Sequence, residues 1–162
     1  KDRAKRGVSK KDSCKPNKAK RKTERQISMQ LADAWMSRFV RAKNAEYSNG
    51  IWVCKCYTCN RYIPIVMAQN GHWQRRGYKK VRFYENNTRV QCYHCNCTQS
   101  GKPEIFELNL IKEVGQQEVD SIKKMAFEYC KDNVAFYIEQ IEKYQILTEK
   151  IMKKKGIPQW WK

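Results

Sequence analysis

Two short stretches decide how this chain folds: Cys56-Tyr57-Thr58-Cys59 and Gln91-Cys92-Tyr93-His94-Cys95-Asn96. Each C-x-x-C puts two thiolates on one tight turn, and 32 residues separate the pairs. Two such turns brought together make a tetrahedral four-sulfur site, which suits zinc. The spacing therefore predicts a structural Zn²⁺ held by Cys56, Cys59, Cys92 and Cys95. It would let a region with little aliphatic core fold at all. A disulfide framework fits poorly with a strongly basic composition and no secretory signal. A redox C-x-x-C needs one pair in a βαβ setting, not two. Cys54 and Cys97 each stand two residues from a ligand and could swap in or stay free thiols. Cys14 and Cys130 read as a solvent-exposed thiol and a small core residue.

Outward from the cysteines, residues 51–97 form an aromatic-rich region with both histidines and six of the eight cysteines. Its β-branched and aromatic content predicts strands at Ile63–Val66 and Tyr78–Phe83. A short helix is expected from Asn96 until Gly101-Lys102-Pro103, and another around Phe106–Ile111 before Gly115. Upstream, Ile27, Leu31, Ala34, Trp35, Phe39 and Ala42 recur at helical steps and predict a helix over 27–45. Downstream, Val119, Ile122, Ala126, Cys130, Val134, Tyr137, Ile141, Tyr144 and Ile151 mark one long stripe. A single helix from Glu118 to Lys154, stopped by Gly156 and Pro158, would run roughly 55 Å. It must wrap its own core or pair with another copy. The expected class is α+β: 27–50 an N-terminal helix, 51–115 a zinc-bound core, 116–162 a long C-terminal helix and tail.

Charge accounts for the remainder. The 162 residues carry 34 Lys and Arg against 16 Asp and Glu, a net +18. Residues 1–26 hold twelve of the bases and three of the acids, half of the surplus. With Val8 as its one sizeable apolar side chain, this segment reads as a disordered basic arm. Such an arm supplies salt-dependent phosphate affinity without reading sequence. Nucleic acid is thus the expected partner. A mean hydropathy of −0.88, and no run near the roughly 18 apolar residues of a span, argue against a membrane protein. Lys1-Asp2-Arg3-Ala4-Lys5-Arg6 has no apolar stretch behind it and is not expected to be a secretory signal.

Between the cysteine pairs stand Asn70-Gly71-His72-Trp73-Gln74-Arg75-Arg76-Gly77 and Val81-Arg82-Phe83-Tyr84-Glu85-Asn86-Asn87-Thr88-Arg89-Val90-Gln91. With the closing Cys92-x-x-Cys95-Asn96, this order resembles the phage lambda NinG family, also called Rap, recombination endonucleases of branched DNA. Ser37-Arg38-Phe39-Val40-Arg41, Ser100-Gly101, and Leu110-Ile111 with Gly115 extend the resemblance over about residues 35–122. The wider relative is the HNH, or ββα-metal, nuclease group on a treble-clef-like zinc scaffold.

The resemblance implies a role for each matching residue. His72 would be the general base that activates water, Asn87 the brace that orients it, and Asn96 a holder of catalytic Mg²⁺ or Mn²⁺. Arg76 and Arg82 would clamp phosphate, with Arg38, Arg41, Lys79 and Lys80 as further DNA contacts. One departure matters: the wider group has Asp before the histidine, and here that position is Gly71. Another ligand must then be found, and Gln99 is the weak candidate. His94 reads as a surface residue of the zinc loop. Trp73, Phe83 and Tyr84 read as small-core residues. Trp160 and Trp161 could stack on a base, plug a partner's groove or cap the core.

The implied function is a metal-dependent endonuclease of Holliday junctions or D-loops. It would act as a homodimer through the C-terminal helix, in the cytoplasm (the bacterial host's, if phage-encoded). The alternative is a non-catalytic zinc-finger protein that binds DNA or RNA.

Overall fold

The computed structural model describes residues 21–161, so most of the expected basic arm, with Cys14, lies outside the described residues. Helix α1 spans Glu24–Lys43 and starts three residues before the expected boundary. A capping box at Thr23 explains the early start. The Thr23 hydroxyl accepts from Gln26 N–H, and the Gln26 side chain accepts from Thr23 N–H. The buried face of α1 is also rotated from the expected stripe. Ala32, Met36, Phe39 and Val40 are buried, whereas Ile27 and Leu31 are exposed.

Three strands follow as an antiparallel meander: β1 Ala45–Ser48, β2 Ile51–Lys55 and β3 Tyr62–Pro64. Asn49 and Gly50, both at positive φ, make the tight turn between β1 and β2. A second antiparallel pair joins β4 Gln69–His72 to β5 Thr88–Gln91, with His72 opposite Thr88 and Gly71 opposite Arg89. A single π-type helical turn, His94–Thr98, follows β5 directly. Then come α2 Pro103–Val114, α3 Gln116–Ala126 and α4 Val134–Lys155.

Two expectations are corrected. Residues 78–83 are not a strand; they include a tight helical turn at Lys79–Val81. Alternation would send Val81 and Phe83 to one face, but they serve different cores. The expected single C-terminal helix is two helices, broken over residues 127–133. Asn133 caps α4 by accepting from Phe136 N–H, a start signal inside the periodic stripe. Cys130 lies in this break rather than on a helix. At 22 residues, α4 is about 33 Å long.

The stripe residues divide accordingly. Tyr137 and Tyr144 of α4 pack with Met36, Phe39 and Phe83 in a core between α1 and α4. Val119, Ile122 and Ala126 of α3 pack with Trp73, Val81, Phe106 and Leu110 in a second core. Cys56, Cys92 and Cys95 form a third cluster, which Ile63 links to the first. Among the described residues, no helix is long and apolar enough to cross a membrane.

Candidate active site

The four motif cysteines meet where the turn after β2 approaches the turn after β5. Their sulfurs all lie within 4.8 Å of one another, and three of the four residues are buried. A tetrahedron with 2.3 Å Zn–S bonds has edges of about 3.8 Å. The Cys59–Cys92 sulfur separation is 3.8 Å. Four thiol donors gathered this closely suit a zinc-like ion. Cys54 is buried elsewhere, its thiol facing the Arg41 carbonyl at 3.5 Å, and burial pushes it up to about 11. Cys97 is exposed and donates to Gln69 Oε1 at 3.2 Å. Neither joins the cluster.

His72 ends β4, and Asn96 sits on the helical turn after β5. Both line one cleft of about 310 Å³, with Asp33, Ser37 and Arg41 of α1, Gln69, Asn70 and Arg76. His72 Nε2 lies 3.0 Å from the Arg82 carbonyl. A carbonyl only accepts, so Nε2 carries the hydrogen and Nδ1 keeps its lone pair. Burial pulls the imidazole down to about 4 against the hydrogen bond to the Arg82 carbonyl and the charge of Asp33, and the charges of Arg76 and Arg82 add to the lowering. His72 is therefore neutral at neutral pH. Asn96 Nδ2 donates to Gln69 Oε1 at 2.7 Å, which leaves Asn96 Oδ1 for a ligand. Asn70 Oδ1 is buried with no hydrogen-bond partner.

Asn87 is fully buried below the cleft. Its side chain accepts from Gln74 N–H at 2.7 Å and donates to the Gln74 and Val81 carbonyls at 3.0 and 2.9 Å. Trp73 N–H donates to the Asn87 carbonyl at 3.0 Å. Asn87 thus closes the loop that leaves His72.

Sequence reasoning missed Asp33, which lies 39 residues before His72 and carries no motif. Its carboxylate takes a two-pronged bond from Arg82, with Nε to Oδ1 at 2.8 Å and Nη2 to Oδ2. Arg82 is 7% exposed and also donates to the Arg76 carbonyl at 3.0 Å. Asp33, Arg82 and the Arg82 carbonyl thus form a rigid path to the His72 ring. Arg82 is occupied internally rather than presented to solvent as a phosphate clamp. Arg76 is mostly exposed at the rim, 3.9 Å from Asp33.

The other candidates are scattered. Lys79 and Lys80 lie over the 127–133 break, 3.7 Å from Asp132 and 3.8 Å from Glu128. Arg38 lies between two indoles, and Arg41 lines the cleft. Gln99 is exposed and outside the cleft, whose neighbouring amide is instead Gln69. His94 is exposed. Trp73 and Phe83 are buried, and half-buried Tyr84 donates to Glu118. Trp160 and Trp161 fold back against α1.

A family described as Bacteriophage Lambda NinG protein matches residues 1–155. Protein ninG of Escherichia phage lambda is 25% identical over 125 residues, covering 73% of this chain and 61% of that protein. Protein ninG of Escherichia phage 933W and of Enterobacteria phage VT2-Sa are each 24% identical over 125 residues, covering 73% and 62%. The chain spans about three fifths of the length of these curated relatives. No solved structure matches significantly.

Proposed function

The chain belongs to the bacteriophage lambda NinG protein family, and we propose that it is a zinc-stabilised, metal-dependent endonuclease of branched DNA. Holliday junctions and D-loops are the proposed substrates, and the host cytoplasm the proposed place of action. One observation carries this reading. His72 and Asn96 come from elements that precede and follow β5 in the chain, and they line the same cleft. The order of β4, β5 and a helical turn is also that of a ββα unit.

The residues divide the work. His72 is neutral and has its Nε2–H committed to a carbonyl, so Nδ1 takes a proton from the attacking water. Asp33 and Arg82 hold that carbonyl in place. Arg41 and Arg76 bind the phosphate at the cleft wall and rim. Asn96, Asn70 (its Oδ1 unpartnered) and Asp33 line the one cleft and offer hard oxygen donors, a set that suits Mg²⁺ or Mn²⁺. Such an ion would neutralise charge on the phosphorane and the departing oxygen.

Cutting two strands symmetrically calls for two copies. The buried face of α4 is taken by α1, so a dimer along this helix would use its outer side, where Ile138 and Ile146 are exposed. The rival reading, a non-catalytic zinc module for DNA or RNA, draws its support from Gly71 in place of an acid.

The deciding experiment is cleavage of a synthetic four-way junction with Mg²⁺ or Mn²⁺. Wild type should cut it and His72→Ala should not. Equal cleavage by the two proteins, or none by wild type on branched or linear DNA, removes the catalytic reading.

A further inference from the structure

The segment after α4 does more than end the chain's last helix. Gly156 caps α4 in the left-handed region, φ 73°, and buried Ile157 turns the backbone toward α1. Trp161 then meets Trp35 edge-on with ring centres 5.9 Å apart, and Trp160 meets Trp161 at 4.6 Å. Two arginines are caught in this aromatic cluster. The Arg38 guanidinium lies 4.4 Å from the Trp35 ring centre and 4.7 Å from that of Trp161. The Arg41 guanidinium lies 5.5 Å from the Trp160 ring centre.

Arg41 differs electrostatically from its neighbours Arg82, buried behind the cleft, and Arg76 at its rim. Arg82 is neutralised by Asp33, and Arg76 stands 3.9 Å from the same carboxylate. Among the described residues, Arg41 has no carboxylate within 4 Å, and its Nε–H goes only to the Ser37 carbonyl at 3.2 Å. Burial lowers its pKa, as expected for a cation partly withdrawn from water without a counter-ion. The indole face compensates in part through a cation–π contact, which also fixes the guanidinium plane. Trp160 Nε1 is buried and has no acceptor among the described residues, so packing rather than a hydrogen bond holds the ring. A partly desolvated, oriented guanidinium with no carboxylate partner in a cleft wall is an anion site awaiting its anion.

We infer that Trp160 is a positioning residue that presets Arg41 as the phosphate-binding cation of the cleft. The inference rests on the DNA-binding part of the function proposed above. Arg41 touches the phosphate, and Trp160 acts through Arg41. The preset geometry reduces the side-chain ordering required when a phosphate arrives.

The test is equilibrium binding of the full chain to a fluorescent four-way junction, without Mg²⁺ or Mn²⁺, across a salt series. Arg41→Ala should weaken binding and flatten the slope of log K against log salt by about 0.9, one phosphate contact. Trp160→Leu keeps apolar volume against α1 but removes the π face, and should flatten the slope equally. Trp160→Phe should preserve it. The Trp160→Leu/Arg41→Ala double variant should bind no worse than Arg41→Ala alone. An unchanged slope in a folded Trp160→Leu protein, or additive losses in the double variant, would make Trp160 a core cap only and overturn the inference. Absence of any DNA binding would overturn it as well. Active His72→Ala protein would instead defeat the nuclease reading and leave these slopes untouched.

Discussion

Gly71 and Gln91 occupy overlapping space. A Cβ built on Gly71 would lie 2.1 Å from Gln91 Oε1 and 2.7 Å from Gln91 Cδ. Gln91 cannot readily yield. It is fully buried, and its amide donates to the Gly101 carbonyl at 2.7 Å and to the Thr58 hydroxyl at 3.3 Å. An acid before His72 is therefore sterically excluded here, whatever chemistry it might have supplied. Gly71→Ala and Gly71→Asp should each destabilise the protein, the alanine by about 1–3 kcal/mol through overpacking. Urea unfolding would measure this, and Gln91→Ala should recover part of the Gly71→Ala loss. Full stability in Gly71→Asp would contradict the packing argument.

The cluster of four cysteines predicts one zinc per chain by elemental analysis. Cys56→Ser or Cys92→Ser should abolish it and leave the protein unfolded or markedly less stable, as should a strong chelator. Cys54→Ala and Cys97→Ala should retain the full zinc content, because neither sulfur reaches the cluster. Disulfides among the four motif cysteines, found by mass spectrometry in non-reducing conditions, would count against the site.

Removing the Asp33 carboxylate leaves Arg82 buried and charged without its partner. Asp33→Ala should cost about 3 kcal/mol, the range for breaking a buried pair from one side. Arg82→Lys should be far from neutral, since a lysine cannot supply the two-pronged bond to Asp33 together with the bond to the Arg76 carbonyl. Denaturant midpoints near wild type for both variants would show the pair to be dispensable.

The pH dependence follows from His72, held at about 4 when folded against an ordinary value of 6.5. As pH falls below 6.5 the unfolded chain takes up a proton that the folded chain refuses until about 4. His72 thus contributes stability above 6.5 that is lost as pH falls from 6.5 to 4. Stability measured over that window should decline less steeply in His72→Gln. With His72 as the proposed base, cleavage of a four-way junction should stay level from pH 8 to about 5 and drop below, because the imidazole remains unprotonated over that range. An acid limb centred near 6.5 would contradict the burial of this imidazole.

Much of this architecture was legible in the sequence, for identifiable reasons. The C-x-x-C spacing is a strictly local constraint, and the four sulfurs meet as expected. His72 and Asn96 also share a cleft, because strand, loop and turn connect them over a short distance. What eluded sequence reasoning depends on long-range pairing. Arg82 has the residue type of a phosphate clamp, but its role is settled by Asp33 on a distant helix. The apolar stripe from Val119 to Ile151 marks buried residues well, yet periodicity cannot say that they face two cores. The readable signal there was Asp132-Asn133, where Asn133 starts a new helix. Trp160 and Trp161 pack beside Trp35, contacts that follow from the placement of α4 and not from their own neighbours.

Val81 is anchored in one core and Phe83 in the other, with Arg82 between them. The carbonyl that orients His72 therefore sits on the seam of the molecule. A small shear of one half against the other would displace it relative to the β4 strand that carries the imidazole. His72 is in this sense a strain gauge for the whole fold. Substitutions deep in either core, remote from the cleft, should register as changes in its hydrogen bond before they register as unfolding.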